Sequence, residues 1–372
     1  MSKSKRYLAL DVLRGITIAG MILVNTPGSW SYIYPPLRHA AWHGCTPTDL
    51  VFPFFLFVMG VSMFFSFSKY GDGLNKTSLL KIGKRGFLIF AIGLFLNSFP
   101  QWQTNFSELR IMGVLQRIAV VYIFSSLIVL SFNKKGIIIS SILLVLCHWL
   151  ALHLLGGEQP YSLEHNATIP FDRAILGENH LYKGFGIPFD PEGLFSSVSA
   201  IATALLGYLI GLLIKNTEKN KLPLKLLFFG GGLVLLGLIW NMVLPINKPL
   251  WTGSYVVYTA GLAILLLSLL VWLVDIKGYK SWTSFFVVFG MNPLLIFAFS
   301  ILWVKILVRL IKISSINGDA PAVINGYTAL YQKVFVLVAG HMNGSLLFAL
   351  THIVFFWLIG WILYKKKVFI KV

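Results

Sequence analysis

Charge is scarce in this chain of 372 residues: Asp, Glu, Lys and Arg make up 12% of it, and only 13 residues are acidic. A soluble domain carries about 25% charged residues, so a surface that faces water on every side is excluded. Cysteine is nearly absent as well. Cys45 and Cys147 are the only two, and neither belongs to a C-x-x-C pair, which excludes a disulfide framework and a zinc ribbon alike. Low-complexity tracts, repeats at solenoid spacing and the internal duplication of many transporters are also missing. What the chain has in abundance is apolar side chains, at 57%, with a mean hydropathy of +0.78. That composition describes an all-α polytopic membrane protein.

A bilayer core of about 30 Å takes roughly 20 apolar residues in a helix. Ten segments meet this: 7–27, 49–68, 80–99, 111–131, 136–155, 194–214, 223–244, 253–274, 283–303 and 345–364. An eleventh, weaker stretch lies within 326–341, where Lys333 and a short apolar run point to an interfacial or re-entrant helix. Gly207 and Gly211 form a G-x-x-x-G, and Gly230 to Gly232 open the seventh segment; both predict close helix contacts. The whole chain reads as one membrane domain, with an outer loop at 156–193 and a second outer segment at 304–344.

The formal charge of +18 raises the possibility of nucleic acid, but the basic residues form no single patch. They lie in short clusters between apolar segments. Lys3, Lys5 and Arg6 precede the first. Lys69, Lys76, Lys81, Lys84 and Arg85 follow the second. Lys134 and Lys135, Lys215 to Lys225, Lys277 and Lys280, and Lys365 to Lys371 come later. Alternate loops carry fewer. That asymmetry puts both termini in the cytoplasm and the stretch Arg38 to Asp49 on the outer face. The first apolar run resembles a signal peptide, yet Asp11 and Arg14 interrupt it and no small-residue cleavage site follows, so it reads as an uncleaved span. The loop 156–193 holds Glu158, Glu164, Asp172, Glu178, Asp190 and Glu192. It is either a solvated cap or an acidic mouth that attracts amines.

Ionisable groups at or within a bilayer are costly and mark function. The segment Leu37 to Phe55, LRHAAWHGCTPTDLVFPFF, brings His39, Trp42, His43 and Asp49 to the head of an apolar run. Thr46 as N-cap with Pro47 and Asp49 behind it makes a helix start, and Asp49 is also able to orient a histidine ring. His39, His43 and Asp49 suit zinc by type, but their spacing follows no helical period and no metal is expected. Asp11 and Arg14 share one helix face, as a neutralised pair or with the arginine turned to a phosphate. Arg110, Gln116 and Arg117 head the fourth segment, where arginine forks suit phosphate or carboxylate. Asn292 precedes Pro293 within the ninth, where a broken backbone ladder lines a cavity. Asn25 ends the first as a C-cap or as a donor to the outer site.

Six motifs in order carry a family resemblance: LDVLRGITIAGMILVN, LRHAAWHGCTPTDLVFPFFLFVMG, LRIMGVLQRIAVVY, IPFDPEGLFSSVSAI, LPINKPLWTGSYV and DIKGYKSWTSFFVVFGMNPLLIF. The chain resembles the heparan-α-glucosaminide N-acetyltransferase family, and most of all its bacterial inner-membrane members, from Asp11 to about Ile311. The resemblance implies a multi-pass enzyme that moves acetyl from cytosolic acetyl-CoA to the amine of a glucosamine on the other side. It also implies a homodimer among membrane lipid. The family's active histidine, aspartate and asparagine fall on His39, Asp49 and Asn25. Arg14, Arg110, Gln116, Arg117 and Asn292 are then expected to hold the CoA donor. Trp42, His43, Asp190, Glu192, Lys248 and Trp251 are expected to face the sugar. A transporter of amino sugars or muropeptides, or an O-acyltransferase of envelope polysaccharide, are the competing readings.

Overall fold

A computed structural model of the chain describes residues 7–67, 73–100, 106–317 and 320–370. Of the expected basic clusters, Lys3, Lys5, Arg6, Lys69 and Lys371 lie outside the described residues. The architecture is a helical bundle, and each of the ten expected spans is found in it. They are α1 (Leu8–Asn25), α2 (Pro47–Phe67), α3 (Lys76–Ser98), α4 (Val114–Ser131) and α5 (Lys134–Leu155). A short α6 (Thr168–Leu176) follows in the outer loop, then α7 (Leu194–Lys215), α8 (Leu222–Trp240) and α9 (Gly253–Leu270), which runs on as π-helix to Ile276. The ninth span is broken into α10 (Thr283–Met291) and α11 (Pro293–Lys305), continued as π-helix to Leu310. After an antiparallel hairpin, β1 (Lys312–Asn317) and β2 (Ala320–Asn325), the chain closes with α12 (Gly326–Leu330), a π-helical turn and α13 (Leu337–Lys365).

Among the described residues, nine helical stretches are long and apolar enough to cross a bilayer by length and composition. The expected span 80–99 is α3, which has the length but opens on Lys76, Lys81, Lys84 and Arg85. The stretch from Gly326 to Lys365 is one of the nine, yet Gly340 (φ 72°, ψ −175°) breaks it. Tyr327 packs edge-on against Phe348 at 4.7 Å, and a Cβ on Gly344 would come within 2.7 Å of the Phe335 carbonyl oxygen. The part before Gly340 therefore folds back along the last span as a helical hairpin.

Local signals set the helix ends. Thr46 precedes α2, and the Asp49 carboxylate accepts from both its backbone N–H (3.1 Å) and its hydroxyl (3.0 Å), half of a capping box. Asn75 and Ser78 make the full box at α3. The first N–H groups of α1, on Leu8 and Ala9, donate to Asp275 at 3.1 and 3.0 Å, so a carboxylate from the end of the 253–276 helix meets the positive pole of α1.

Packing divides the bundle in two. In α1, α2 and α7, 67% of the apolar window is buried, whereas in α5 and α8 only 28% is; the outward Ile142, Leu146, Leu227 and Phe228 are the lipid face. The inner helices meet backbone to backbone. A Cβ on Gly60 would lie 1.9 Å from the Ala204 carbonyl oxygen, and one on Gly207 would lie 2.0 Å from that of Phe57. The predicted G-x-x-x-G contact is present. The Gly230 to Gly232 expectation holds only at Gly230, against Gly261; Gly231 and Gly232 meet nothing within 4 Å.

The loop 156–193 is a packed cap. Ala167, Ile169, Phe189 and Phe195 form a small core with Leu152 and Leu250, and backbone bonds such as Ile111 N–H to His180 C=O (3.2 Å) close it onto the α3–α4 loop.

Candidate active site

The segment between α1 and α2 carries His39 over the start of α2. Its Nδ1 lies 2.6 Å from Asp49 Oδ1. The other carboxylate oxygen is taken up by the segment itself, through Ala40 N–H at 3.0 Å and the Thr46 donors. Asp49 is thus a buried knot that shapes the loop and still presents one oxygen to the ring. Lys248 joins from the turn between α8 and α9, with Nζ 3.4 Å from Asp49 Oδ1 and 3.2 Å from His39 Nδ1. Lys248 carries donors only, so its partner is the Asp49 carboxylate and not a protonated Nδ1. Nδ1 bears the proton and donates to Asp49, since a bare Nδ1 would set its lone pair against the carboxylate. Nε2 then keeps its lone pair, on a ring whose side chain is 46% exposed.

The turn that delivers Lys248 is itself clamped. Asn247 donates from Nδ2 to the Trp42 carbonyl (2.9 Å), lies 3.3 Å from His43 Nδ1, and accepts from Leu250 N–H at 2.7 Å. Gly44 N–H reaches Ile246 C=O at 2.7 Å. Burial lowers the Lys248 pKa, against the pull of Asp49, and burial likewise lowers that of His43. Cys45 is pushed up to about 12, first by burial and then by the Asp49 charge, so its thiol stays protonated at neutral pH and is no nucleophile.

The other expected residues fall into separate groups. Trp42 donates to Tyr161 C=O at 2.7 Å and packs edge-on against Phe185 and Phe189, which ties the cap to the histidine segment. Asn25 stands exposed at the same end of the bundle, and its amide donates back to Met21 C=O at 2.9 Å.

Asp190 and Glu192, expected to receive an amine, are committed elsewhere. Arg110 grips Asp190 through Nε (2.8 Å) and Nη2 (2.7 Å) and Glu192 through Nη2 (2.7 Å). Burial alone would lower the Arg110 pKa, but the bonds to Asp190 and the charge of Glu192 raise it. Both Asp190 oxygens are taken by a guanidinium whose side chain is 28% exposed, and Glu192 gives it one oxygen, so an incoming ammonium would compete with this pairing. Trp251, expected to face the sugar, is fully buried, with φ 51°, and Arg117 lies over its ring at 4.8 Å.

The donor residues do not converge. Arg117 is fully buried among Ser196, Ser197 and the Gly193 carbonyl, at the first turns of α4 and α7. Gln116 fills the space beside Gly93 on α3. These two and Arg110 are at the histidine end, away from the basic loops. Arg14 instead bonds Ser62 (2.6 Å) and the Gly290 carbonyl (3.3 Å), two residues from Asn292 and in the opposite half. Sequence reasoning missed Asn247, Tyr255, whose hydroxyl donates to the Asp49 carbonyl at 2.6 Å, and the serine pair around Arg117. Asn247 lies inside the quoted LPINKPLWTGSYV, the only signal that marked it.

The family model described as heparan-alpha-glucosaminide N-acetyltransferase, catalytic, matches residues 6–169, the stretch that holds Asn25, His39 and Asp49. The heparan-alpha-glucosaminide N-acetyltransferase of Mus musculus is 31% identical over 357 residues, covering 80% of this chain. The chain belongs to this family. The protein of the same name from Homo sapiens is 31% identical over 351 residues, covering 78% of the chain. The chain spans about half the length of these curated relatives, 53% and 52% respectively. The family stretch ends within the cap, so Asp190, Lys248 and Trp251 are related to the relatives only through the longer pairwise matches.

Proposed function

We propose that this membrane protein is an N-acetyltransferase that takes acetyl from acetyl-CoA, approaching from the basic side, and transfers it to the amine of a glucosamine-type sugar at the histidine end. The observation that carries the reading is the 2.6 Å contact between His39 Nδ1 and Asp49 Oδ1 on a half-exposed ring. In this reading Nε2 takes a proton from the attacking amine as its nitrogen bonds the thioester carbonyl carbon. The tetrahedral intermediate collapses with loss of the CoA thiolate, which takes up a proton and leaves as the thiol. Asp49 holds the tautomer and stabilises the imidazolium, and Lys248 balances the carboxylate between turnovers. Asn25 sits at the same end and, once rotated off Met21, supplies an oxyanion donor, worth about 2.7–4 kcal/mol where such donors have been removed. Trp42 and His43 line the acceptor side.

The reading extends to a bacterial inner-membrane setting with both termini in the cytoplasm, and to a homodimer. The test is transfer of labelled acetyl from acetyl-CoA to glucosamine by the purified protein, with His39→Ala alongside. Transfer by the wild type and loss in the variant supports the enzyme. Absence of transfer to amino sugars and to hydroxyl acceptors, with uptake of amino sugars into proteoliposomes, would replace it with the transporter.

A further inference from the structure

The ninth span is interrupted at Asn292–Pro293, between α10 and α11, and its surroundings are polar for membrane depth. Arg14, Asp11, Ser62 and the Gly290 carbonyl meet there. A broken helix with such groups inside a bundle lines a cavity or a path, because unpaired backbone is not tolerated against lipid. Here the break is covered by the chain's own tail. After α13 the chain turns at Lys367 (φ 55°) and lies along the bundle surface over Asn292, with Val368 to Ile370 themselves exposed. Asn292 Nδ2 donates to the Val368 carbonyl at 3.0 Å, and Ile370 N–H donates to Asn292 Oδ1 at 2.8 Å. Asn292 is 1% exposed as a result. One carboxamide therefore bridges two successive peptide groups, the C=O before Phe369 and the N–H after it.

That pairing is not specific to peptide backbone. The pantetheine arm of CoA carries two successive secondary amides along a thin chain, and the C=O of the first with the N–H of the second offers a similar pair, one methylene further apart. We propose that Asn292 is an amide-reading residue for the donor's arm, and that Val368 to Ile370 are a strap that occupies it until a donor displaces them. The proposal rests on the acetyl-CoA reading above. It makes the tail a competitor of the donor at the basic end, remote from the histidine chemistry. It also accounts for an Asn-Pro break beside Arg14, which an unbroken structural span would not need.

The test measures binding of CoA itself, by titration calorimetry on detergent-purified protein, so that neither acceptor nor catalysis enters. Four forms are compared: the full chain, a chain ending at Lys367, that shortened chain with Asn292→Ala, and full-length Ile370→Pro, which removes the N–H given to Asn292. Two hydrogen bonds of ordinary net worth correspond to about tenfold in affinity. The truncated chain is expected to bind CoA about tenfold more tightly and Ile370→Pro about threefold. The KM for acetyl-CoA should fall in step while kcat is unchanged. Asn292→Ala placed in the truncated chain should remove the gain. Unchanged or weaker CoA binding in both tail variants overturns the proposal, as does thermal collapse of both, which would make the tail an ordinary structural piece. No CoA binding by any form, wild type included, overturns the donor assignment and the strap with it.

Discussion

Two buried aspartates at the same end of the bundle hold cations in different ways. Asp190 has both oxygens engaged by one guanidinium, takes a further N–H from Glu192 at 2.9 Å, and lies beneath an Arg110 that also covers Tyr182 at 4.5 Å. Asp49 spends one oxygen on its own loop and gives the other to His39 and Lys248. An arginine cannot surrender its proton in a protein, whereas an imidazole exchanges one near neutral pH. The first group is saturated and closed. The second keeps a nitrogen lone pair on an open ring. Burial and charge are similar in the two, so the partner's capacity to trade a proton separates a brace from a candidate catalyst.

The largest effect that would test this contrast is expected from His39→Ala, which should lower kcat about 10³-fold with CoA affinity and melting temperature retained. Asp49→Asn should follow closely, because the amide turns the ring to the wrong tautomer. The brace should respond in stability instead. Arg110→Met strands Asp190 without its partner and should cost about 3–5 kcal/mol, read as a fall in melting temperature, while transfer per folded molecule survives. If Arg110→Met abolishes transfer without loss of stability, the contrast fails.

Asp172 sharpens the same point through pH. Burial first of all, with the Asp190 charge adding to it, raises its pKa to about 6 against the Phe195 N–H that lowers it. A carboxyl whose folded pKa lies above the unfolded value of about 3.9 binds its proton more tightly when folded. Its contribution is therefore present at low pH and is lost as pH rises from about 4 through about 6, at most about 3 kcal/mol. Wild-type melting temperature should reflect that slope, and Asp172→Asn should remove it. The smallest effect is expected from Lys248→Met, about tenfold in kcat or 1.4 kcal/mol, because Asp49 keeps its histidine and its loop donors.

The helices were legible because apolar runs are local, and so were the caps at Thr46 and the G-x-x-x-G on α7. His39 and Asp49 were legible for a related reason: ten residues separate them, and both stand at the head of one helix. Arg110 and Asp190 are separated by 80 positions, Asn292 and Val368 by 76, and Lys248 and His39 by 209. No periodicity links such pairs. Their types announced function, and only the fold reveals that Arg110 pairs with Asp190 and Glu192 and that Arg14 and Arg117 occupy opposite halves. Trp251 misled for a different reason: an aromatic at a loop predicts stacking on a sugar, but its ring is the floor under Arg117.

The glycine contacts of the inner helices carry a mechanical consequence. Where Gly60 lies on the Ala204 carbonyl and Gly207 on that of Phe57, two backbones are geared together and neither can slide or roll without collision. The α2–α7 pair, with His39 at its head, is the stiff spar of the molecule. Compliance is left to the periphery, where a crevice of about 250 Å³ lined by Ile92, Leu96, Leu295 and Leu302 separates α3 from α11. Room for adjustment therefore lies at that flank, while the backbones under the His39 segment are locked against each other.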